Sequence, residues 1–182
     1  MRQSISSLVC TIVFAGFMAG CSASPRNEKQ AASLDIESKA ALESFKAQDP
    51  TLKGLMDKAV AYVVFPTIGK AAWIVGGSYG KGQVYDRDGQ MIGYADVSEI
   101  SVGLQGGAQA MSELLIFLKQ SDVDNFKSKE FSLGGNVSAV ALTAGAAAKS
   151  DPSKGVIALV DTKGGLMAEA AVAGQRIRYR SE

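Results

Sequence analysis

The sequence predicts an α+β domain in which an antiparallel β-sheet predominates and two helices precede it. Two helical stretches lie within residues 33–58, whereas β-branched and aromatic runs begin at residue 59 and recur to residue 179. These runs give seven to nine strands, with one further short helix among them. The chain has 182 residues, which is enough for a single domain with a full hydrophobic core.

Residues 1–20 have the features of a bacterial lipoprotein signal peptide. Arg2 is their only charged residue, and residues 5–18 form an apolar run shorter than the about 20 residues that span a bilayer. The run ends in Met-Ala-Gly-Cys, which resembles the lipobox, so we expect Cys21 to become the acylated first residue of the mature protein. The alternative is an ordinary secretory signal that ends in a chance cysteine.

The expected anchor places the rest of the chain in the periplasm. Ser22, rather than Asp, follows the cysteine, which resembles the sorting context of lipoproteins of the outer membrane. Residues 21–32 are polar and are predicted to form a lipidated tether, and residues 33–182 to form the single domain. Since Cys10 is removed and Cys21 carries lipid, no disulfide is expected in the mature domain.

The charge balance and the absence of histidine exclude several classes of function. The 19 basic and 18 acidic side chains give a formal charge of +1, which provides no global field for nucleic acid. A chain without histidine cannot form a Ser-His-Asp triad, a Cys-His pair or a His-ligated zinc site. We therefore expect neither a metal nor a cofactor.

Two helices are predicted before the strands, over residues 33–47 and 51–58. Asp49-Pro50 separates the two helices, because this pair ends the first helix and precedes the second. Apolar residues recur on one side of each helix, as expected for helices that pack on a sheet. These residues are Leu34, Ala41, Leu42 and Phe45 in the first helix, and Leu52, Leu55 and Met56 in the second.

The first strands follow directly. Residues 59–65 form a β-branched and aromatic run that Pro66 is expected to stop. Residues 70–79 predict a second strand, with a bulge or close backbone contact at its glycine pair. A hairpin is predicted from residues 83–97, because Asp-Arg-Asp-Gly supplies the chemistry of its turn.

The second half of the chain contains the remaining elements. Periodicity alone does not decide between helix and strand for residues 111–118, and we favour a strand. Ser121 is expected to cap a short helix over residues 122–127, and an Ala- and Gly-rich loop is expected over residues 143–152. Further strands are predicted over residues 131–142, 156–160, 166–172 and 175–179.

Several motifs in residues 58–172 resemble the SYLF domain family. They are AYVVFP at 61–66, GGSYGKG at 76–82, SVGLQGGAQ at 101–109, FSLG at 131–134 and KGGL at 163–166. The resemblance implies a mostly β fold with N-terminal helices and an association with lipid. It also implies relatives in eukaryotes that bind phosphoinositides, partly through an amphipathic N-terminal segment, and some that bind actin.

Three arginines near the C-terminus form a candidate lipid site. Strand periodicity places Arg176, Arg178 and Arg180 on one face, with intervals of about 6–7 Å that suit the phosphates of a lipid headgroup or of lipopolysaccharide. The alternative is a solvated outer face that protects a sheet edge. The further cationic candidates for anionic lipid are Lys53, Lys58, Lys70 and Lys81.

Other motifs match known sites only in part. The glycines of residues 76–82 have a spacing one residue too short for a P-loop. Residues 78–81 match the Ser-x-x-Lys motif of penicillin-recognising enzymes, but that motif requires a helix. Residues 86–89 and 122–125 resemble the start of calcium loops and lack the later ligands.

The sequence therefore predicts a non-enzymatic, membrane-anchored protein that binds anionic phospholipid headgroups and no nucleic acid. Its partner would be membrane lipid, reached through the acyl chains on Cys21 and through the cationic residues. An envelope scaffold or protein-interaction module without a lipid ligand is the alternative. A Ser-Lys hydrolase that uses Ser78 and Lys81 is a third hypothesis.

Overall fold

One mixed eight-stranded sheet organises the part of the chain that the structure describes. This computed structural model describes residues 25, 27–71, 76–101, 109–128, 130–134, 137–162, 172 and 174–181. The predicted signal peptide and Cys21 lie outside these residues, as do residues 166–171 of one predicted strand. The helices are α1 (Glu28–Gln48), α2 (Leu52–Met56), α3 (Gln120–Ser128) and α4 (Ala146–Lys149). The strands are β1 (Ala61–Ala71), β2 (Gly76–Asp86), β3 (Met91–Ser101), β4 (Gln109–Phe117), β5 (Phe131–Ser132), β6 (Val137–Ala141), β7 (Val156–Thr162) and β8 (Arg176–Ser181).

The strand order is β5-β8-β3-β2-β1-β4-β7-β6. All neighbouring strands are antiparallel except β6 and β7, which pair in parallel. Helix α3 contacts both β4 and β8, although three strands separate these two in the sheet. The sheet must therefore curl around α3. The predicted α+β class with a mostly antiparallel sheet is confirmed.

Each face of the sheet has its own hydrophobic core. On the outer face, α1, α2 and α4 cover part of the sheet, and Phe45 and Leu52 lie buried with Tyr62. On the inner face, Phe126 of α3 packs against Phe117 with ring centroids 5.0 Å apart, and further aromatic rings surround this pair. Burial on both faces explains why several strands are continuous apolar runs rather than alternating ones.

Helix α1 begins at Glu28, five residues before the predicted start of the first helix. The Oδ1 atom of Asn27 accepts a hydrogen bond from the backbone N–H of Gln30 at 2.9 Å, and Glu28 lies in the first turn. A cap and an acidic first turn both stabilise a helix N-terminus. Residues 28–32, which the sequence placed in the tether, are therefore helical.

Strand β1 continues through Pro66, where the prediction ended it. Its register shifts at this point against both neighbouring strands, between Val64 and Thr67 against β2 and between Phe65 and Ile68 against β4. A proline at a bulge removes no regular ladder hydrogen bond, so the strand can continue beyond it.

The predicted strand over residues 70–79 is wrong, because its two ends belong to different strands. Residues 70–71 end β1, residues 76–79 begin β2, and residues 72–75 lie outside the described ranges. Pairing of β2 with β3 is regular through Gly76 and Gly77, and the register shift occurs instead between Val84 and Tyr85. The glycine pair therefore does not mark a bulge in this ladder.

The hairpin of β2 and β3 forms as predicted. Oδ1 of Asp86 accepts hydrogen bonds from the backbone N–H groups of Asp88 at 2.9 Å and Gln90 at 2.8 Å. Gly89 has φ of 78°, the left-handed conformation that glycine adopts without strain. This aspartate therefore closes the turn, as expected for the motif that resembled a calcium loop.

Two predictions in the second half of the chain need correction. Residues 131–142 are two strands rather than one, because β5 pairs with β8 at one edge of the sheet and β6 pairs with β7 at the other. The predicted loop over residues 143–152 contains α4, followed by a short 3-10 helix at Pro152–Lys154. The strand predictions for β4, β7 and β8 are confirmed, as is the short helix α3. Ser121 does not cap this helix as predicted, because α3 begins one residue earlier, at Gln120.

Candidate functional site

The three arginines of β8 lie on the outer face of the sheet. Alternation along the strand buries Ile177 completely in the inner core, and Tyr179 packs on the same side. The side chains of Arg176, Arg178 and Arg180 point the other way and are exposed. The hydroxyl of Tyr179 donates to the backbone oxygen of Ile92 at 2.7 Å, which fixes β8 against the start of β3.

Strand pairing brings Lys81 into line with the arginines. Arg178 of β8 is directly opposite Asp96 of β3, and Asp96 is directly opposite Lys81 of β2. Residues that are directly opposite in an antiparallel pair share a face of the sheet. Three strands therefore contribute to one surface, which we call the cationic face and define as Lys81, Arg176, Arg178 and Arg180 with the carboxylates of Asp96 and Glu130.

Glu130 bridges two of the arginines. Its Oε2 accepts a hydrogen bond from Nε of Arg178 at 3.2 Å, and its Oε1 lies 3.7 Å from Nη1 of Arg176. The side chains of Arg176 and Arg178 are 65% and 53% exposed, so solvent reaches both guanidinium groups. Arg180 forms no ion pair with any residue that the structure describes.

Asp96 lies beneath the cations and is only 3% exposed. Burial raises the pKa of its carboxyl, and the positive charges of Arg178, Arg180 and Lys81 oppose that shift. Within the described part of the chain, its Oδ1 has no hydrogen-bond partner. With four cationic side chains and two carboxylates, this face carries an excess of positive charge.

Two of the remaining cationic candidates, Lys53 and Lys58, lie outside this face. Lys53 lies on α2, which packs against α1 and α4, and its Nζ pairs with Asp57 at 2.9 Å. Lys58 is exposed in the connection from α2 to β1. Lys70 belongs to β1, where its backbone pairs with Ser78, and its side chain lies outside the description. Cys21 also lies outside it.

The sequence did not reveal the two carboxylates. Asp96 belongs to the predicted hairpin. The polar residues of its strand were the only signal in the sequence that its side chain lies on this face. Glu130 precedes the two-residue strand β5, whose pairing with β8 determines its position. No local pattern predicts that pairing.

Gly80 and Gly82 permit close packing between β1 and β2. A Cβ atom at Gly80 would lie 2.8 Å from Cγ1 of Ile68, and one at Gly82 would lie 2.5 Å from the backbone oxygen of Val64. Residues 78–81 belong to β2, so the helix that a Ser-x-x-Lys site requires is not formed there.

Neither a membrane-spanning helix nor a metal cluster is found in the described residues. Every helix among them is too short or too polar to span a bilayer. They also contain no group of three or more His, Cys, Asp or Glu side chains placed to hold a metal ion.

One family of known proteins is similar to the C-terminal part of the chain. A family model described as "Ysc84: Las17-binding protein actin regulator" matches residues 98–182. The matched segment includes the three arginines and Glu130, whereas Lys81 and Asp96 precede it. A comparison with curated proteins finds no match.

Proposed function

We propose that the chain binds anionic phospholipid headgroups through its cationic face. The match of residues 98–182 to the model of the Ysc84, or SYLF, family of interaction domains supports this proposal. The proposed role is binding rather than catalysis. The observation that carries the proposal is that Lys81 of β2 and the arginines Arg176, Arg178 and Arg180 of β8 lie on one face, on either side of β3.

The geometry of this face suits a membrane surface. Alternate residues of a strand are about 6–7 Å apart, so neighbouring guanidinium groups can each contact a phosphate. Guanidinium groups bind phosphates through two parallel N–H donors and are more weakly hydrated than ammonium groups. Each basic residue near an anionic bilayer contributes about 1 kcal/mol, so three arginines contribute about 3 kcal/mol to binding.

We further propose that acyl chains on Cys21 anchor the protein to the outer membrane, with the domain in the periplasm. The sequence of residues 1–21 supports this proposal. Durable attachment requires more than one acyl chain or a second membrane contact, and the cationic face would provide such a contact. Mass spectrometry of the mature N-terminus tests the anchor, and an unmodified Cys21 would refute it.

Vesicle flotation of the full chain tests the headgroup proposal. The chain should float with vesicles of phosphatidylglycerol in phosphatidylcholine, and far less with phosphatidylcholine alone. A triple variant should weaken the charge-dependent binding roughly 100-fold. It combines Arg176→Gln, Arg178→Gln and Arg180→Gln. All variants share the same N-terminal residues, so any attachment through that segment cancels in the comparison.

A matched triple variant provides the control. Lys39→Gln, Lys46→Gln and Lys149→Gln remove the same charge from exposed positions on α1 and α4. Because these lysines belong to α1 and α4 and not to the cationic face as defined above, binding should change little. Equal losses in the two triple variants, or binding that ignores vesicle charge, would refute the proposal.

A second candidate is a protein-interaction module. The description of the matching family as a Las17-binding protein and actin regulator favours it. Co-sedimentation with filamentous actin tests this alternative. Binding to actin that the arginine variant retains, together with failure to bind anionic vesicles, would favour it over the lipid proposal.

A further inference from the structure

The position of Glu130 is fixed by the aromatic core beneath it. Phe131, the next residue, is 3% exposed, and its ring centroid lies 5.9 Å from that of Phe117 and 6.0 Å from that of Phe126. Phe131 is also directly opposite Ile177 in the pairing of β5 with β8. Glu130 is therefore held beside Arg176 and Arg178 by buried contacts and by strand pairing.

The carboxylate of Glu130 pairs with two guanidinium groups that a phosphate would also contact. It presents one oxygen to Nε of Arg178 at 3.2 Å and the other to Nη1 of Arg176 at 3.7 Å. A phosphodiester likewise presents two oxygen atoms that share one negative charge. A carboxylate and a phosphodiester can therefore compete for this pair of guanidinium groups.

We propose that Glu130 is an intramolecular competitor that occupies the headgroup site of the cationic face. This inference rests on the proposed function and adds a mode of regulation to it. Because the Glu130 side chain is 40% exposed and exposed ion pairs are weak, a headgroup phosphate can displace the carboxylate. Binding then occurs only where the membrane is anionic enough to outcompete the carboxylate, which makes the face selective for highly charged bilayers.

Glu130→Gln tests the inference in the full chain with phosphatidylglycerol-containing vesicles. The variant should bind more tightly than the wild-type chain, by a factor on the order of five, because one competing charge at the surface is removed. Glu43→Gln is the matched control, since Glu43 also forms an exposed ion pair, with Lys46 at 2.8 Å on α1. The vesicle affinity of Glu43→Gln should differ from that of the wild-type chain by less than about twofold. When Glu130→Gln is combined with Arg176→Gln and Arg178→Gln, the gain in vesicle affinity should disappear.

The outcomes separate this inference from the function on which it rests. Equal binding by the wild-type chain and Glu130→Gln overturns the competitor and leaves the headgroup proposal standing. Equal gains from Glu130→Gln and Glu43→Gln also overturn it, because net charge alone then explains the effect. Failure of both Glu130→Gln and the wild-type chain to bind anionic vesicles overturns the headgroup proposal and the competitor together. The Nε–H resonance of Arg178 should move in Glu130→Gln without lipid, and an unchanged resonance contradicts the ion pair.

Discussion

Asp49 connects two distant parts of the chain, and its removal should destabilise the fold strongly. Its side chain is fully buried between the α1–α2 junction and the start of α4. Oδ2 accepts a hydrogen bond from the backbone N–H of Ala147 at 2.6 Å. Oδ1 accepts hydrogen bonds from Gly145 N–H at 3.0 Å, Thr51 N–H at 2.9 Å and the Thr51 hydroxyl at 2.6 Å.

The loss of stability expected for Asp49→Ala follows from the hydrogen-bond donors that would lose their acceptor. The N–H of Ala147 is buried, and a buried donor left without an acceptor costs about 1–3 kcal/mol. The Gly145 and Thr51 donors are only partly buried, so water can replace some of the hydrogen bonds that they lose. We therefore expect the free energy of unfolding to fall by about 3 kcal/mol, a large share of the about 5–15 kcal/mol typical of a domain.

Urea unfolding followed by circular dichroism measures this loss. Asp57→Ala is the control, because Asp57 is 62% exposed and forms only a surface ion pair with Lys53. Its free energy of unfolding should change by less than about 0.5 kcal/mol. An Asp49→Ala variant within about 0.5 kcal/mol of the wild-type chain would refute the reasoning.

The same carboxylate should make the stability depend on pH. Burial tends to raise the pKa of Asp49, but hydrogen bonds from Ala147, Thr51 and Gly145 outweigh it and hold the pKa below its ordinary value of 3.8. Because the pKa is lower in the folded state, this stabilisation is fully present well above pH 3.8. It is lost as the pH falls through the lowered pKa. The difference in unfolding free energy between the wild-type chain and Asp49→Asn should therefore shrink below about pH 4, and a constant difference from about pH 7 to about pH 2 would contradict this.

Two further predictions concern the sheet and the lysines of the helical side. Gly82→Ala should lower the free energy of unfolding by about 1–3 kcal/mol in a urea titration, because its Cβ would lie 2.5 Å from the backbone oxygen of Val64. Gly69→Ala, where a Cβ would meet nothing within 4 Å, should cost less than about 0.5 kcal/mol, and equal costs would contradict the packing argument. Combined Lys53→Gln and Lys58→Gln should leave vesicle binding within about twofold of the wild-type value in the same flotation assay, since neither lysine lies on the cationic face. A loss as large as that of the arginine variant would refute this placement.

Features set by neighbouring residues could be predicted from the sequence. The alternation of charged and apolar residues in β8 placed the arginines on one face without knowledge of the fold. The turn that ends at Gly89 likewise depends on residues within the hairpin itself. Both are short-range patterns, so the local sequence contains most of the information that determines them.

Features set by distant residues could not be predicted in this way. Helix α4 has four residues, too few to be stable alone, and it is capped by Asp49, which is separated from Ala147 by 98 positions. The continuation of β1 through Pro66 depends on bulges against both neighbouring strands. The contact of Glu130 with Arg178 requires pairing between β5 and β8. Each of these depends on the three-dimensional arrangement rather than on propensity.

The strand order also determines which fragment of this chain can fold. The family match begins at residue 98, but β4 lies between β1 and β7, and β8 pairs with β3 along residues 93–98. A recombinant fragment of residues 98–182 would lack β1 and would leave Ser98 as the only partner of β8 in β3. A truncation or a gene fusion should therefore keep β1–β3 and the Asp49 junction with the matched segment, because the unit of folding is longer than the unit of sequence similarity.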